Sequence, residues 1–313
     1  MKGLELSRAY FRECGLPVLR EQFPDVLPQL AFGLAGSGSE CLGFDDEVSR
    51  DHDFEPGFCI FLPGEDEVGR RTEFLLERAY AKLPKEFMGL RRAMIQPVGG
   101  ARHGVIRMEN FFLEKTGTPD GLLSADQWFT VPEQSLLEAA GGEIFEDYRG
   151  EMTRIRARLS YYPEEVRLKK LAGHLLLMAQ SGQYNYARCL AHGEEAAAQL
   201  SVFAFVKSAA SAVFLLNRRY QPYYKWLFRS LRGLPLLSES AELMEYLITT
   251  DNGPDSREEK AAVMEGIASD VIDLLMEEGI TDAVCGDLEK HAYSVNDRIA
   301  DPEIRNRHIL AGV

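Results

Sequence analysis

The sequence predicts an α+β fold: a mixed sheet with helices over residues 1–150, followed by an all-helical bundle over residues 151–313. Three observations carry this reading. Strand-like apolar runs bounded by Gly and Pro occur before Gly150 and stop there. Beyond Gly150 the apolar residues keep helical spacing. Within 33–62, a small-residue turn, Gly36-Ser37-Gly38-Ser39, precedes two acids, Asp51 and Asp53, at the start of an alternating run closed by Pro63-Gly64.

Taken in order, residues 3–14 and 17–23 read as short helices, with Pro17 at a first helical position and Pro24 ending the second. Residues 27–35 read as a buried strand, since Gly33 and the turn behind it disfavour a helix. One or two helical turns are expected over 40–44, and a strand from about 51 to 62. Phe74, Leu75, Ala79 and Leu83 set a helix over 67–83, stopped by Pro84. A short strand follows at 104–108, a helical turn from Phe111, and short helices at 124–129 and 132–140. In the second half, 151–159, 163–180, 184–190, 196–220, 223–231 and 241–247 are helical candidates. Ser256 is expected to cap a long helix with Glu258 and Glu259 in its first turn. Val263, Ile267, Val271, Leu274 and Leu275 give that helix a core-facing stripe.

Composition narrows the function. A hydrophobic share of 45% with 27% charged residues is ordinary for a soluble protein. The longest apolar stretch, 200–216, is broken by Lys207 and falls short of a membrane span. The first residues carry charges throughout and no apolar signal core. A cytoplasmic protein without a membrane partner is expected. Cys14, Cys41, Cys59, Cys189 and Cys285 are scattered with no C-x-x-C, which supports neither a disulfide framework nor a zinc site. A net charge of −14 argues against nucleic acid as a partner. Two stretches nevertheless lack acids: 87–108, with Arg91, Arg92, Arg102 and Arg107, and 196–238, with Lys207, Arg218, Arg219, Lys225, Arg229 and Arg232. Such basic islands suit a compact polyanion; ordinary solvated faces are the alternative.

On a strand, side chains two apart share a face, so Asp51 and Asp53 are neighbours. At about 4 Å and an effective dielectric near 20, their repulsion is ~4 kcal/mol, which calls for a bound cation or a shared proton. Small residues in the turn let backbone amides approach phosphate. The P-loop pattern fails because no Gly-Lys-Ser/Thr follows. The dinucleotide fingerprint fails because Cys41 stands at its third glycine.

Gly36-Ser37, then thirteen residues, then Asp51-His52-Asp53-Phe54 resembles the nucleotidyltransferase superfamily signature. Three longer stretches, GSGSE…GFDDEVSRDHDF, GGEIFEDYRGEMTRIRARLSYYPEEV and NRRYQPYYKW, resemble in the same order a family of bacterial nucleotidyltransferase-like proteins of uncharacterised function. The likeness runs from about residue 30 to about 245. It implies a nucleotidyltransferase-fold domain followed by a helical domain, with magnesium (or manganese) on Asp51 and Asp53. It implies that Gly36, Ser37, Gly38 and Ser39 bind the phosphates of a nucleoside triphosphate such as ATP. The reaction implied is transfer of a nucleoside monophosphate to a hydroxyl of a small-molecule or protein acceptor. The superfamily's third carboxylate has no match on 104–108, which offers Arg107 instead; Glu109 is the stand-in, with Glu143 and Asp147 as others. Arg219, Tyr223 and Lys225 interleave cations with aromatics. They are candidates to close over a nucleotide, with Lys225 or Arg219 on phosphate and Tyr223 on the base; packing of an interface is the alternative. The alternative function is a non-catalytic nucleotide-binding or interaction module on the same fold. His174 and His192 have no partner spacing and read as structural.

Overall fold

A computed structural model describes residues 1–48, 54–92 and 103–313. The strands are β1 (Ala31–Leu34), β2 (Cys59–Leu62), β3 (Glu86–Phe87), β4 (Leu90–Arg91), β5 (Gly104–Arg107) and β6 (Glu143–Asp147). Four of them form a mixed sheet in the order β5-β2-β1-β6, and β3 pairs with β4 separately. β1 runs antiparallel to β2 and to β6, while β2 and β5 are parallel. The α+β class is as the sequence predicts.

β1 and β2 are buried on both faces, which is why they read as unbroken apolar runs, AFGL and CIFL. Phe32 stands opposite Ile60, and both join a core with Tyr10, Phe11, Phe58 and Leu76. That face is covered by α1 (Gly3–Tyr10), α2 (Leu16–Gln22) and α3 (Arg70–Ala81). No break separates α1 from α2. They are joined by a π-helical stretch, Phe11–Gly15, and Pro17 follows directly on it instead of starting a separate helix. Gly15 is required there because a Cβ would overlap the Phe58 ring.

On the other face Phe61 meets Phe111 edge-on at 5.4 Å. Phe111 belongs to α4 (Met108–Thr116), which packs on β5. Next come α5 (Ala125–Thr130), started by a Ser124–Gln127 capping box, then α6 (Glu133–Ala140) and α7 (Glu151–Arg158). α6 packs on α4, and α7 on α6 and β6. Three expectations are corrected. Residues 40–44 form turns without a helix. The strand read as 51–62 begins at Cys59, and 54–58 is irregular, its Gly57 lying so close to the His103 ring that a Cβ would sit 2.6 Å from it. β6 is an additional strand that its acids conceal.

Contacts divide the chain into two units, 1–127 with 131–160, and 128–130 with 161–313, so α7 belongs with the sheet. The second unit contains α8 (Glu164–Met178), a π-helical stretch Ala179–Asn185, α9 (Tyr186–Ala191) and α10 (Glu195–Leu216). It continues with α11 (Leu227–Leu231), α12 (Ser240–Thr249), α13 (Arg257–Glu277), α14 (Leu288–Asp297) and α15 (Pro302–Arg305). α10 packs on α8, α9 and α12. At 22 residues α10 reaches membrane-spanning length, contrary to the expectation from 200–216; 67% of its most apolar window is buried within the protein, so core packing accounts for its composition. Ser256 does not cap α13: its hydroxyl contacts Asp251, 3.0 Å from both the carbonyl and the side chain.

Cations hold this unit together from inside. Lys169, fully buried, donates to Asn296 Oδ1 (2.8 Å) and to the carbonyls of Arg305 (2.9 Å) and Arg307 (2.6 Å). Lys260 likewise donates at 2.9 Å to Gln199, Asn252 and the Thr250 carbonyl. Three acceptors per ammonium satisfy all its protons, the condition under which a buried charge is tolerated.

Candidate functional site

β1 leads into the Gly36–Ser39 turn. Gly36 and Gly38 sit at φ +109° and +128°, conformations open in practice to glycine alone, and this explains the Gly-x-Gly spacing. Gly36 is buried and Ser37 faces solvent. The turn is braced from β6 and its approach. Gly33 is passed so closely by Glu143 that a Cβ would overlap the Glu143 carbonyl oxygen. Gly142, at φ +74°, presses on Leu34 and Ala35 and donates to the Cys41 carbonyl at 2.9 Å. Arg156 of α7 fixes that approach, its guanidinium donating to the carbonyls of Ala140 (2.7 Å), Gly141 (2.6 Å) and Gly142 (3.0 Å). Neither Gly142 nor Arg156 is singled out by sequence spacing.

Asp51 and Asp53, the expected metal ligands, lie outside the described residues, as does Arg102. The register places Gly33 opposite Cys59, so β2 starts at the end of the sheet where β1 enters the turn. Two other groups lie at this end. His103, next to the first residue of β5, is 3.4 Å from Glu55, and both side chains are largely buried. Glu143, opposite Leu34, pairs with Arg8. Glu109 lies elsewhere: it is exposed in the first turn of α4, just past Arg107, which pairs with Leu62 at the far end of the sheet. Its helix nonetheless reaches the turn, since the Phe111 ring, two residues on, lies 3.6 Å from where a Cβ on Gly36 would stand. Asp147 is also at the far end, opposite Ala31, and accepts from the Thr153 amide at 2.8 Å. Among the described residues no group of three His, Cys, Asp or Glu is placed to hold a metal ion.

Two members of the first basic island, Arg107 and Arg92, are used internally, while Arg91 is exposed. Arg107 is buried and donates to the carbonyls of Pro63 and Val68, both at 2.9 Å, and to Glu73 at 2.6 Å. Arg92 lies over the Tyr80 ring at 4.6 Å and donates to the Tyr80 carbonyl at 3.2 Å. The acidic run has a structural member too. Asp45 is buried, accepts from the Gly3 amide at 2.8 Å and lies 3.4 Å from Lys2 Nζ, so it ties the start of α1 to the segment after the turn. Asp45→Ala is expected to lower stability by about 1–3 kcal/mol, read from the urea midpoint, through loss of a buried charged acceptor at a helix start.

In the helical unit, α10 ends in a Schellman motif: Arg218 donates to Leu215 at 3.2 Å and Arg219 to Phe214 at 3.0 Å. Arg218 occupies the left-handed position, φ +52°, where glycine is usual. Glu164 holds it there, accepting from Arg218 at 2.6 and 3.3 Å and from Arg167 at 2.6 and 3.0 Å. The hydrogen bonds from Arg167, then those from Arg218, hold the Glu164 carboxyl down to about 2. A carboxyl lowered on folding stabilises above its unfolded value near 4.5 and loses that contribution as pH falls toward 2. The difference in urea midpoint between the parent protein and Glu164→Gln is therefore expected to be constant above about pH 5 and to shrink below pH 4. A pH-independent difference would contradict this.

Beyond the motif, Tyr220 is buried against Tyr161 (5.4 Å) and Tyr162 (5.0 Å). Arg219, Tyr223 and Lys225 face solvent. Tyr223 is 52% exposed and its ring lies 4.1 Å from that of Tyr224, while Lys225 and Arg229 lie over Trp226 at 5.1 and 5.6 Å. The loop thus divides its aromatics, Tyr220 for packing and Tyr223 with Tyr224 for the surface. The turn and this loop belong to different units, each described by itself.

The fold and turn together define an α+β protein with a glycine turn at one end of a mixed sheet and a helical second unit. Residues 128–227, which include α8–α10 and the NRRYQPYYKW loop, match a family described as a domain of unknown function (DUF4037). No curated protein matches the chain. A crystal structure of a nucleotidyltransferase-like protein from Exiguobacterium sibiricum 255-15 is similar at 10% identity, over 90% of this chain and 89% of that one, with a TM-score of 0.37. A score at that level carries no argument about chemistry.

Proposed function

We propose that this chain is a nucleotidyltransferase-like protein: it binds a nucleoside triphosphate with a divalent metal and transfers the nucleoside monophosphate to a hydroxyl of a small-molecule or protein acceptor. The observation that supports this is the turn. Two left-handed glycines end β1 beside the start of β2, and Asp51-His52-Asp53 follows Gly36-Ser37 after thirteen residues. Asp51 and Asp53 would hold magnesium or manganese; hard oxygen donors, two carboxylates at a time, suit such ions. When bound, the metal would neutralise phosphate charge. The turn's amides position the phosphates. The acceptor oxygen forms a bond to the α-phosphorus as the bond to the bridging oxygen of pyrophosphate breaks, and pyrophosphate leaves. The hydroxyl proton goes to solvent.

The test is thermal shift with ATP, GTP, CTP and UTP plus magnesium. A nucleotide at 100 times its Kd is expected to add about 2.7 kcal/mol of apparent stability, and Asp51→Asn to abolish the gain. The reading fails if none of the four shifts the protein and Asp51→Asn changes nothing.

A second reading, nucleotide binding without catalysis, is favoured by the engagement of Glu143 with Arg8 and of Asp45 with Lys2 and the Gly3 amide. Binding without pyrophosphate release across a broad acceptor panel would favour it. Labelled nucleotide moving to a protein band in lysate would instead identify a protein acceptor.

A further inference from the structure

α8 continues into α9 through the π-helical stretch Ala179–Asn185. Such stretches account for well under 1% of residues, and they recur where a helix is widened for function. Here Gly182 lets the stretch lie against Phe205 of α10, where a Cβ would overlap the ring, and Ser201 of α10 donates to the Ser181 carbonyl. Beside this contact is a cavity of about 360 Å³, within the size range of small-molecule sites. Its walls come from His174 and Leu177 of α8, Ser181 and Asn185 of the π stretch, and Lys207 and Ser208 of α10.

The lining sets the chemistry of an occupant. Gln180 and Val313 complete the lining, none of whose side chains is acidic, and among the described residues no acidic side chain pairs with Lys207. His174 Nδ1 is buried with no hydrogen-bond partner. Leu177 and Ala204 supply apolar surface. We propose that this cavity binds a small organic monocarboxylate with an apolar body, its carboxylate on Lys207 and its body against Leu177 and Ala204 over the His174 imidazole. A phosphate dianion fits less well, because one lysine faces mainly apolar walls and the hydrogen-bonded interiors of helices offer no free amides. Burial, with the charges of Lys170 and Lys207, pushes the His174 imidazole down to about 3, so it is neutral near pH 7 and Lys207 is the cation available to the ligand. The site lies wholly within the helical unit and does not depend on nucleotide chemistry.

Calorimetric titration of the full chain with phenylacetate, phenylacetamide and phenyl phosphate tests this. Saturable binding of phenylacetate is expected, with phenylacetamide silent and phenyl phosphate weaker. Lys207→Gln, a surface change that leaves the fold intact, should weaken phenylacetate at least tenfold. Ala204→Trp should abolish binding by filling the mouth of the cavity. No saturable phenylacetate binding, equal affinity for the amide, tighter binding of phenyl phosphate, or unchanged affinity in Lys207→Gln would each overturn the proposal.

Discussion

Lys169→Met is expected to destabilise the helical unit by about 3–5 kcal/mol, seen as a fall in the urea midpoint. The side chain is fully buried in α8, and its ammonium is the donor for Asn296 Oδ1 and two carbonyls, Arg305 and Arg307. Methionine keeps the length and apolar stem but leaves three buried acceptors without a proton. Each orphaned acceptor costs about 1–3 kcal/mol, and partial relaxation keeps the sum below the maximum. Burial also pushes the Lys169 pKa down, and three acceptors around the ammonium offset part of that cost. Lys290→Met, on an exposed position of α14, is the control and should stay within about 0.5 kcal/mol. Equal effects at the two positions would contradict the assignment.

Gly142→Ala is expected to lower stability of the sheet unit by about 3 kcal/mol or more. Two causes add. The φ of +74° is strained for alanine, about 1 kcal/mol, and the new methyl would overlap the Leu34 carbonyl and approach Ala35 Cα within 2.8 Å. Backbone cannot rotate away as a side chain can, so β1 or the loop must move. Gly150→Ala isolates the first cause: its φ is +66° but nothing lies within 4 Å of the added Cβ, and about 1 kcal/mol is expected. Because Gly142 presses on the residues that lead into Gly36–Ser39, its substitution should also weaken nucleotide binding under the proposed function, while Gly150→Ala should not.

Local signals in the sequence were sufficient for much of this fold. β1 and β2 stand out as apolar runs between turn residues because both faces are buried, and α3 and α13 as stripes because one face is. β6 is obscured because Glu143, Glu146 and Asp147 are tolerated on a half-buried strand at the end of the sheet. The two π-helical stretches leave no periodic mark; each depends on a glycine meeting a phenylalanine distant in sequence, Gly15 with Phe58 and Gly182 with Phe205. The glycines of the candidate turn were legible because positive φ restricts residue choice locally. Its braces, Gly142 and Arg156, were not, since they act through contacts that only the folded chain creates. Counting cations without their partners overstated the basic islands. Arg107 is held by Glu73 and Arg218 by Glu164, acids that lie outside the acid-free stretches in sequence but beside them in space.

The most direct measurement is calorimetric titration of magnesium nucleoside triphosphates into the full chain and into Asp51→Asn and Asp53→Asn. Saturable binding of at least one triphosphate is predicted, requiring magnesium or manganese and weakened at least tenfold in both variants. No binding of any triphosphate to the parent protein, or equal binding by all three proteins with and without metal, would contradict the account.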